Sequence, residues 1–385
     1  MSATAQQRLG WIEACRGLAA IAVLLYHTIR HFDENYGLPY FKNAAQFGHA
    51  GVDLFFVISG FIIVFIHFDD IGRPMSLSRY VERRLTRILP AYWVAVAITV
   101  AMAMAGGHVI PPVTIAWSIL PVPTSTEPIV AVAWTLQYEF VFYALFAVLI
   151  LNRTAGIAVL VAWLAVILTN LFWHPGAALP QPFVGAFGLE FFAGMAVAWR
   201  LRRGQLRHFN AILAAGIGLF AVAAVAEDLR LVDGYGLQGR LAYGLASALL
   251  VAGGAEASRR DLVRIPAILQ MLGSASYSLY LFHFIMIGLA WKLWLATDLA
   301  VTVAPTVACG VFSALAIAGG IAMSRLVEYP LMRALRDGVR RAAAMKQVRI
   351  VPDVQSRRRL LPGARDGDEA VAGAKARVDS IRGRL

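Results

Sequence analysis

The sequence predicts an all-α membrane protein of about ten transmembrane helices in one bundle, with both termini cytoplasmic. Three observations predict it. Hydrophobic residues make up 59% of the 385 positions and charged residues only 15%, against about 25% charged in soluble domains; the mean hydropathy is +0.65. The apolar residues fall in runs of about 17 to 24 that do not alternate. Such runs suit helices rather than barrel strands, the two forms whose backbone is satisfied in lipid. The arginines, finally, gather in alternate connecting segments, the pattern of cytoplasmic loops.

The runs lie at roughly 12–31, 50–67, 88–106, 131–151, 156–173, 183–200, 209–226, 238–255, 275–295 and 302–324. The first follows Arg8 as a signal peptide would, but Arg16 interrupts it and no small-residue cleavage site follows, so it reads as an uncleaved span. The segment 68–87 holds Arg73, Arg79, Arg83, Arg84 and Arg87. Arg153 stands in the next alternate loop, then Arg200, Arg202, Arg203 and Arg207, then Arg259, Arg260 and Arg264. Arg325, Arg333 and Arg336 open the tail. The opposite loops are poor in charge: 32–49 has Lys42, 107–130 and 174–182 have no Lys or Arg, and 227–237 has Arg230. An even number of spans puts every basic loop on one side, which accounts for most of the net charge of +12 without nucleic acid. The proline-rich 107–130 segment reads as an irregular or re-entrant outer loop. Residues 1–335 form the transmembrane domain, and 336–385 a polar basic cytoplasmic tail, largely disordered, with an amphipathic stretch from about residue 340. Cys15 and Cys309 belong to no Cys/His cluster, so neither a metal site nor a disulfide framework is expected.

A charge at the centre of a span costs roughly 2.5–3.5 kcal/mol on insertion scales, so each intramembrane charge is a functional candidate. RGLAAIAVLLYH runs from Arg16 to His27. Eleven helical steps of about 100° return nearly to the starting direction, and a rise of about 1.5 Å per residue separates the two side chains by about 16 Å. They face one way and hold two ends of one elongated ligand, or else snorkel to opposite surfaces. In GVDLFFVISGFII, Asp53 enters the second span, where it serves a site or caps the helix, while Ser59 and Gly60 read as a small-residue packing notch. In RYVERRLTRILPAYW, Arg84 and Arg87 share a helix face, and their forks match phosphate oxygens or lipid headgroups. In WTLQYEFVFY, Glu139 needs an imidazole or guanidinium partner, with Tyr143 one turn later. In SYSLYLFHF, Ser276, Tyr280 and His283 form a polar stripe flanked by Tyr277, or an aromatic belt with a core histidine. Glu190 is a further carboxylate, and Glu328 caps a helix or pairs with Arg325.

Together these stretches resemble the integral-membrane acyltransferase 3 family, which includes exopolysaccharide and O-antigen acetyltransferases. The resemblance runs from about Arg16 to Arg333. RGLAAIAVLLYH matches the family's Arg-x10-His signature, and Arg84 and Arg87 match its Arg-x-x-Arg signature. GHAGVDLFFVISGFII and SRYVERRLTRILPAYW carry a likeness to the exopolysaccharide-production subgroup; WTLQYEFVFY and SYSLYLFHF match two later segments.

The resemblance implies a multi-pass enzyme of the bacterial cytoplasmic (inner) membrane. It would move an acyl group, usually acetyl, from acyl-CoA to a hydroxyl of a surface polysaccharide or lipid-linked sugar. Acyl-CoA is then a co-substrate, with no permanently bound cofactor, and polysaccharide-assembly proteins are candidate partners. On this reading His27 is the base, or carries the acyl group transiently, and Glu139 orients it. Arg16, Arg84 and Arg87 bind acyl-CoA. Tyr143, Ser276, Tyr280, His283 and Asp53 support the acceptor or the oxyanion. Two other classes compete. A multi-pass transporter of an anionic or sugar-linked substrate would also use intramembrane Glu, His and Arg, although no internal repeat is evident. A passive lipid-linked-sugar binding protein would show neither acyl-CoA hydrolysis nor acyl transfer.

Overall fold

The computed structural model describes residues 10–37, 45–124, 127–173, 179–297 and 299–338. The chain divides into two units, Met1–Tyr329 and Pro330–Leu385. In the second unit residues 330–338 are helical; the expected disordered tail otherwise lies outside the described residues.

The first unit is built from long helices: α1 Gly10–Tyr36, α2 Gly51–His67, α3 Leu77–Ala105, α4 Trp134–Leu151, α5 Arg153–Trp173, α6 Phe187–Arg203, α7 Phe209–Asp228, α8 Leu237–Arg259, α9 Ala267–Leu295 and α10 Pro305–Met323. Among the described residues, nine helices are long and apolar enough to cross a membrane. The tenth expected span is α6, whose 17 residues stand at the short end of what a bilayer requires.

Helix ends differ from the expected spans for identifiable reasons. Hydropathy marks where lipid contact begins, not where the helix begins. The charged stretch before residue 88 is rich in Arg, Glu and Leu, all good helix formers. So α3 starts at Leu77 and carries Arg79, Arg83, Arg84 and Arg87 on the helix itself. Likewise α9 starts at Ala267, directly after Pro266. Pro305 opens α10, where a missing amide costs nothing. Within 107–130, the described residues contain one short helix, Pro112–Trp117, and Ile119 accepts a hydrogen bond from the Trp93 indole at 2.8 Å.

Close helix approach rests on small residues. A Cβ at Gly60 of α2 would lie 2.2 Å from the Phe191 carbonyl oxygen of α6, and one at Gly194 of α6 would lie 2.0 Å from the Val57 oxygen of α2. Gly60 is thus half of the expected notch; Ser59 is not, as its contacts show below. Gly17 and Gly273 join α1 to α9 in the same way.

Polar contacts define two ends of the bundle. At one, Arg202 meets Asp69 at 2.5 Å, the Gly72 amide donates to the Leu149 carbonyl, and Arg259 and Arg260 donate to the carbonyls of Leu201 and Leu206. The basic loops therefore converge. At the other end the Tyr26 and Tyr235 hydroxyls are 2.5 Å apart, and the Trp294 indole donates to Tyr36.

Candidate active site

α1 runs unbroken from Gly10 to Tyr36, so Arg16 and His27 stand on one rigid rod about 16 Å apart. Arg16 opens into a cavity of about 110 Å³ between α1, α2, α3, α4 and α9. Arg84, Arg87, Glu139, Tyr143, Ser276 and Tyr280 line the same cavity, together with Ser59, Thr135 and Tyr277. Most of the sequence-predicted residues are therefore brought together from five helices.

Each arginine of α3 is held by a different device. Arg84 donates to His67 Nε2 at 3.2 Å, and the other ring nitrogen of His67 is 2.8 Å from Asp70. A donor on Nε2 leaves Nδ1 to donate to the carboxylate, which fixes the tautomer. The Arg84 guanidinium lies 5.9 Å from the Tyr143 ring centroid. Arg87 donates to Glu328, whose other oxygen accepts the Ser278 hydroxyl at 2.6 Å, and its guanidinium lies 5.6 Å from the Tyr277 ring. Glu328 is thus the partner of Arg87, while Arg325 donates to Met271 Sδ instead. That pairing joins residues 241 apart in sequence, and no local pattern announces it.

Glu139 accepts the Ser59 hydroxyl at 2.6 Å and the Tyr143 hydroxyl at 3.1 Å. Ser59 thus serves the site rather than a packing notch. Three guanidiniums and one carboxylate, Glu139, line the cavity itself, a lining suited to an anionic group.

Tyr280 bounds the cavity towards the other end of the bundle. Its hydroxyl is 3.0 Å from that of Thr135, and both face the Val132 carbonyl. Ser276 Oγ is buried at the cavity wall with no hydrogen-bond partner among the described residues. One turn beyond Tyr280, His283 is fully buried, with Nδ1 2.5 Å from the Tyr280 carbonyl oxygen. Nδ1 therefore carries the proton, and Nε2 keeps its lone pair. The His27 ring stacks on His283 with centroids 5.2 Å apart and touches Phe284 and Tyr26. The neighbour of His27 is thus a second histidine. Glu139, engaged by Ser59 and Tyr143, belongs to the arginine end.

Asp53 lies elsewhere. It is fully buried and accepts Arg240 Nη1 at 2.7 Å. Glu190 is buried beside this pair, and neither of its carboxylate oxygens has a hydrogen-bond partner among the described residues. His49 and Tyr243 both bond to Glu227, at 2.8 and 2.6 Å, and Tyr235 stacks on His49 at 4.2 Å. Burial and the bond with Tyr26 push the Tyr235 phenol above its ordinary pKa. Of these residues only Asp53 and Glu190 stood out in the sequence. The available signal for Arg240 was an arginine inside a candidate span; for Ser59, Thr135 and Ser278 it was a hydroxyl inside one.

Three comparisons bear on this arrangement. Residues 9–323 match the family model described as Acyltransferase domain. The chain is 32% identical to the exopolysaccharide production protein ExoZ of Rhizobium meliloti over 77% of its own length and 93% of the relative's. It is 26% identical to the acyltransferase MdmB of Streptomyces mycarofaciens over 88% of its length and 94% of the relative's. A 91-residue stretch is 33% identical to the peptidoglycan O-acetyltransferase OatA of Listeria monocytogenes, covering 23% of this chain and 13% of the relative. No solved structure matches.

Proposed function

Because the chain belongs to the membrane acyltransferase 3 family, whose model spans residues 9–323, and is an O-acyltransferase, we propose that it moves an acyl group, acetyl in the first instance, from acyl-CoA to a hydroxyl of a surface polysaccharide or lipid-linked sugar. We place it in the bacterial cytoplasmic membrane with its basic loops and both termini inside. ExoZ is named for exopolysaccharide production and OatA for O-acetylation of peptidoglycan; both names support a glycan acceptor.

The observation that carries the reading is the single α1 rod, with an arginine-rich cavity at one end and a pair of stacked histidines at the other. Arg16, Arg84 and Arg87 bind the phosphates of the coenzyme from the basic end. The thioester arm extends past Tyr280 towards His27. There neutral His27 takes the proton of the acceptor hydroxyl. The alkoxide oxygen bonds to the thioester carbonyl carbon, the carbon–sulfur bond breaks, and the thiolate leaves with the electron pair. Protonated His27 returns its proton to that sulfur, so charge and atoms balance. Tyr280 and Ser276 line the path as hydroxyl donors for the transient oxyanion. Glu139 holds Ser59 and Tyr143 and balances the guanidiniums.

The test is acetyl ester on total surface polysaccharide in cells carrying wild-type, His27→Ala or Arg16→Ala protein at matched membrane levels. Ester only with the wild type supports the reading. Full acetylation by His27→Ala overturns the mechanism.

A further inference from the structure

A second cavity, of about 470 Å³, lies at the end of the bundle where the basic loops converge, between α2, α4, α5 and α6. Leu149, Leu160 and Phe192 are among its apolar walls, and Arg153 and Arg203 stand at it as its only charged residues. It shares no residue with the acyl-transfer cavity. Ile157 and Trp199 on its walls are 48% and 46% exposed, so in a bilayer it opens towards lipid.

Four other arginines at this end have protein partners. Arg202 is paired with Asp69, Arg259 and Arg260 are both paired with Glu256, and Arg200 donates to the Gln205 carbonyl. Arg153 and Arg203 have no hydrogen-bond or acidic partner among the described residues. Arg203 lies over the Trp199 ring at 3.8 Å, a contact that fixes the guanidinium at the cavity and leaves its edge donors available. Arg153 is the first residue of α5, so its charge adds to the positive end of that helix. A tryptophan of this kind belongs at the headgroup level of a membrane.

We propose that this groove binds one anionic phospholipid, with the phosphate between Arg153 and Arg203 and an acyl chain against Leu149, Leu160 and Phe192. The charge complementarity selects an anionic headgroup. The apolar walls select a lipid over a free phosphate, which would leave them unused. The bound lipid tethers the α4–α5 corner to the end of α6, beside the loop that carries Asp69.

The test is native mass spectrometry of the full-length protein in detergent, titrated with phosphatidylglycerol, with phosphatidylcholine of the same chains, and with inorganic phosphate. The wild type is expected to hold one phosphatidylglycerol in preference to phosphatidylcholine. Arg153→Ala/Arg203→Ala is expected to weaken that binding about thirty-fold, the effect of two surface arginines. Arg207→Ala, outside the groove, should leave it unchanged. Ala196→Trp fills the apolar wall without altering charge and should also release the lipid. Equal binding of the two lipids, displacement by inorganic phosphate, or wild-type binding by either groove variant would overturn the proposal. Melting temperatures of the same samples identify any variant that has not folded. The acyl-transfer reading is unaffected by any of these outcomes.

Discussion

Two polar regions sit inside this apolar bundle, built from the same residue types and arranged in opposite ways. In the first, Arg16, Arg84, Arg87 and Glu139 face a cavity. In the second, Asp53, Arg240, Glu190, His49 and Glu227 face one another, and none of them lines that cavity. The first keeps its charges at the wall of an open volume even where they are paired; the second pairs Asp53 with Arg240 and His49 with Glu227 away from that volume. An intramembrane charge is therefore not in itself a sign of a substrate site. What distinguishes a site is a polar atom that packing leaves facing an open volume.

The strongest way to break this contrast is to show that the second region works like the first. Removing one member of a buried pair leaves the other charge uncompensated, at a cost of about 3–5 kcal/mol. Asp53→Ala should therefore lower stability by about that much in thermal or denaturant unfolding, while the fraction that still folds retains acyl transfer. Asp53→Leu/Arg240→Leu should recover much of the loss, because neither charge is then orphaned.

The first region should give the reverse. Arg16→Ala is expected to cut acyl transfer by about 10²–10³-fold, the scale of losing one charge-stabilising donor, with the melting temperature little changed. A large fall in melting temperature with proportionate activity would place Arg16 among the structural pairs instead. A smaller effect belongs to the close α2–α6 contact. Gly194→Ala forces a Cβ against the Val57 carbonyl and should destabilise by about 1–3 kcal/mol, which unfolding of the purified protein would measure. The smallest effect is expected from Asp69→Ala. Its pair with Arg202 is largely exposed, so unfolding should shift by no more than about 1 kcal/mol.

The sequence made one of these regions legible and not the other. Arg16 and His27 could be placed because helical spacing alone fixes their direction and separation. The hydrophobic runs located every long helix, since lipid enforces that signal over some twenty residues. Partner choice was not legible. Arg87 finds Glu328 and Arg240 finds Asp53 across 241 and 187 residues, and such pairings depend on which helix faces which. Glu139 illustrates the limit. Its need for a partner followed from burial cost, and Tyr143 stood one turn on; Ser59 was not foreseen, and Glu139 sits among the guanidiniums rather than at His27. Asp53 enters the same span as Ser59, and burial cost alone marks it as a site candidate. Six residues along a helix amount to about 600°, which turns the two side chains to different faces.

The central claim is that the α1 rod joins a donor-binding cavity to a reacting histidine. Its most direct test is turnover of labelled acetyl-CoA by purified, reconstituted protein, expressed per folded molecule, for wild type, Arg16→Ala, His27→Ala and Asp53→Ala. The account predicts that Arg16→Ala and His27→Ala fold but lose transfer, while Asp53→Ala loses folded protein and keeps transfer in what remains. Wild-type turnover by folded His27→Ala and Arg16→Ala protein would contradict it.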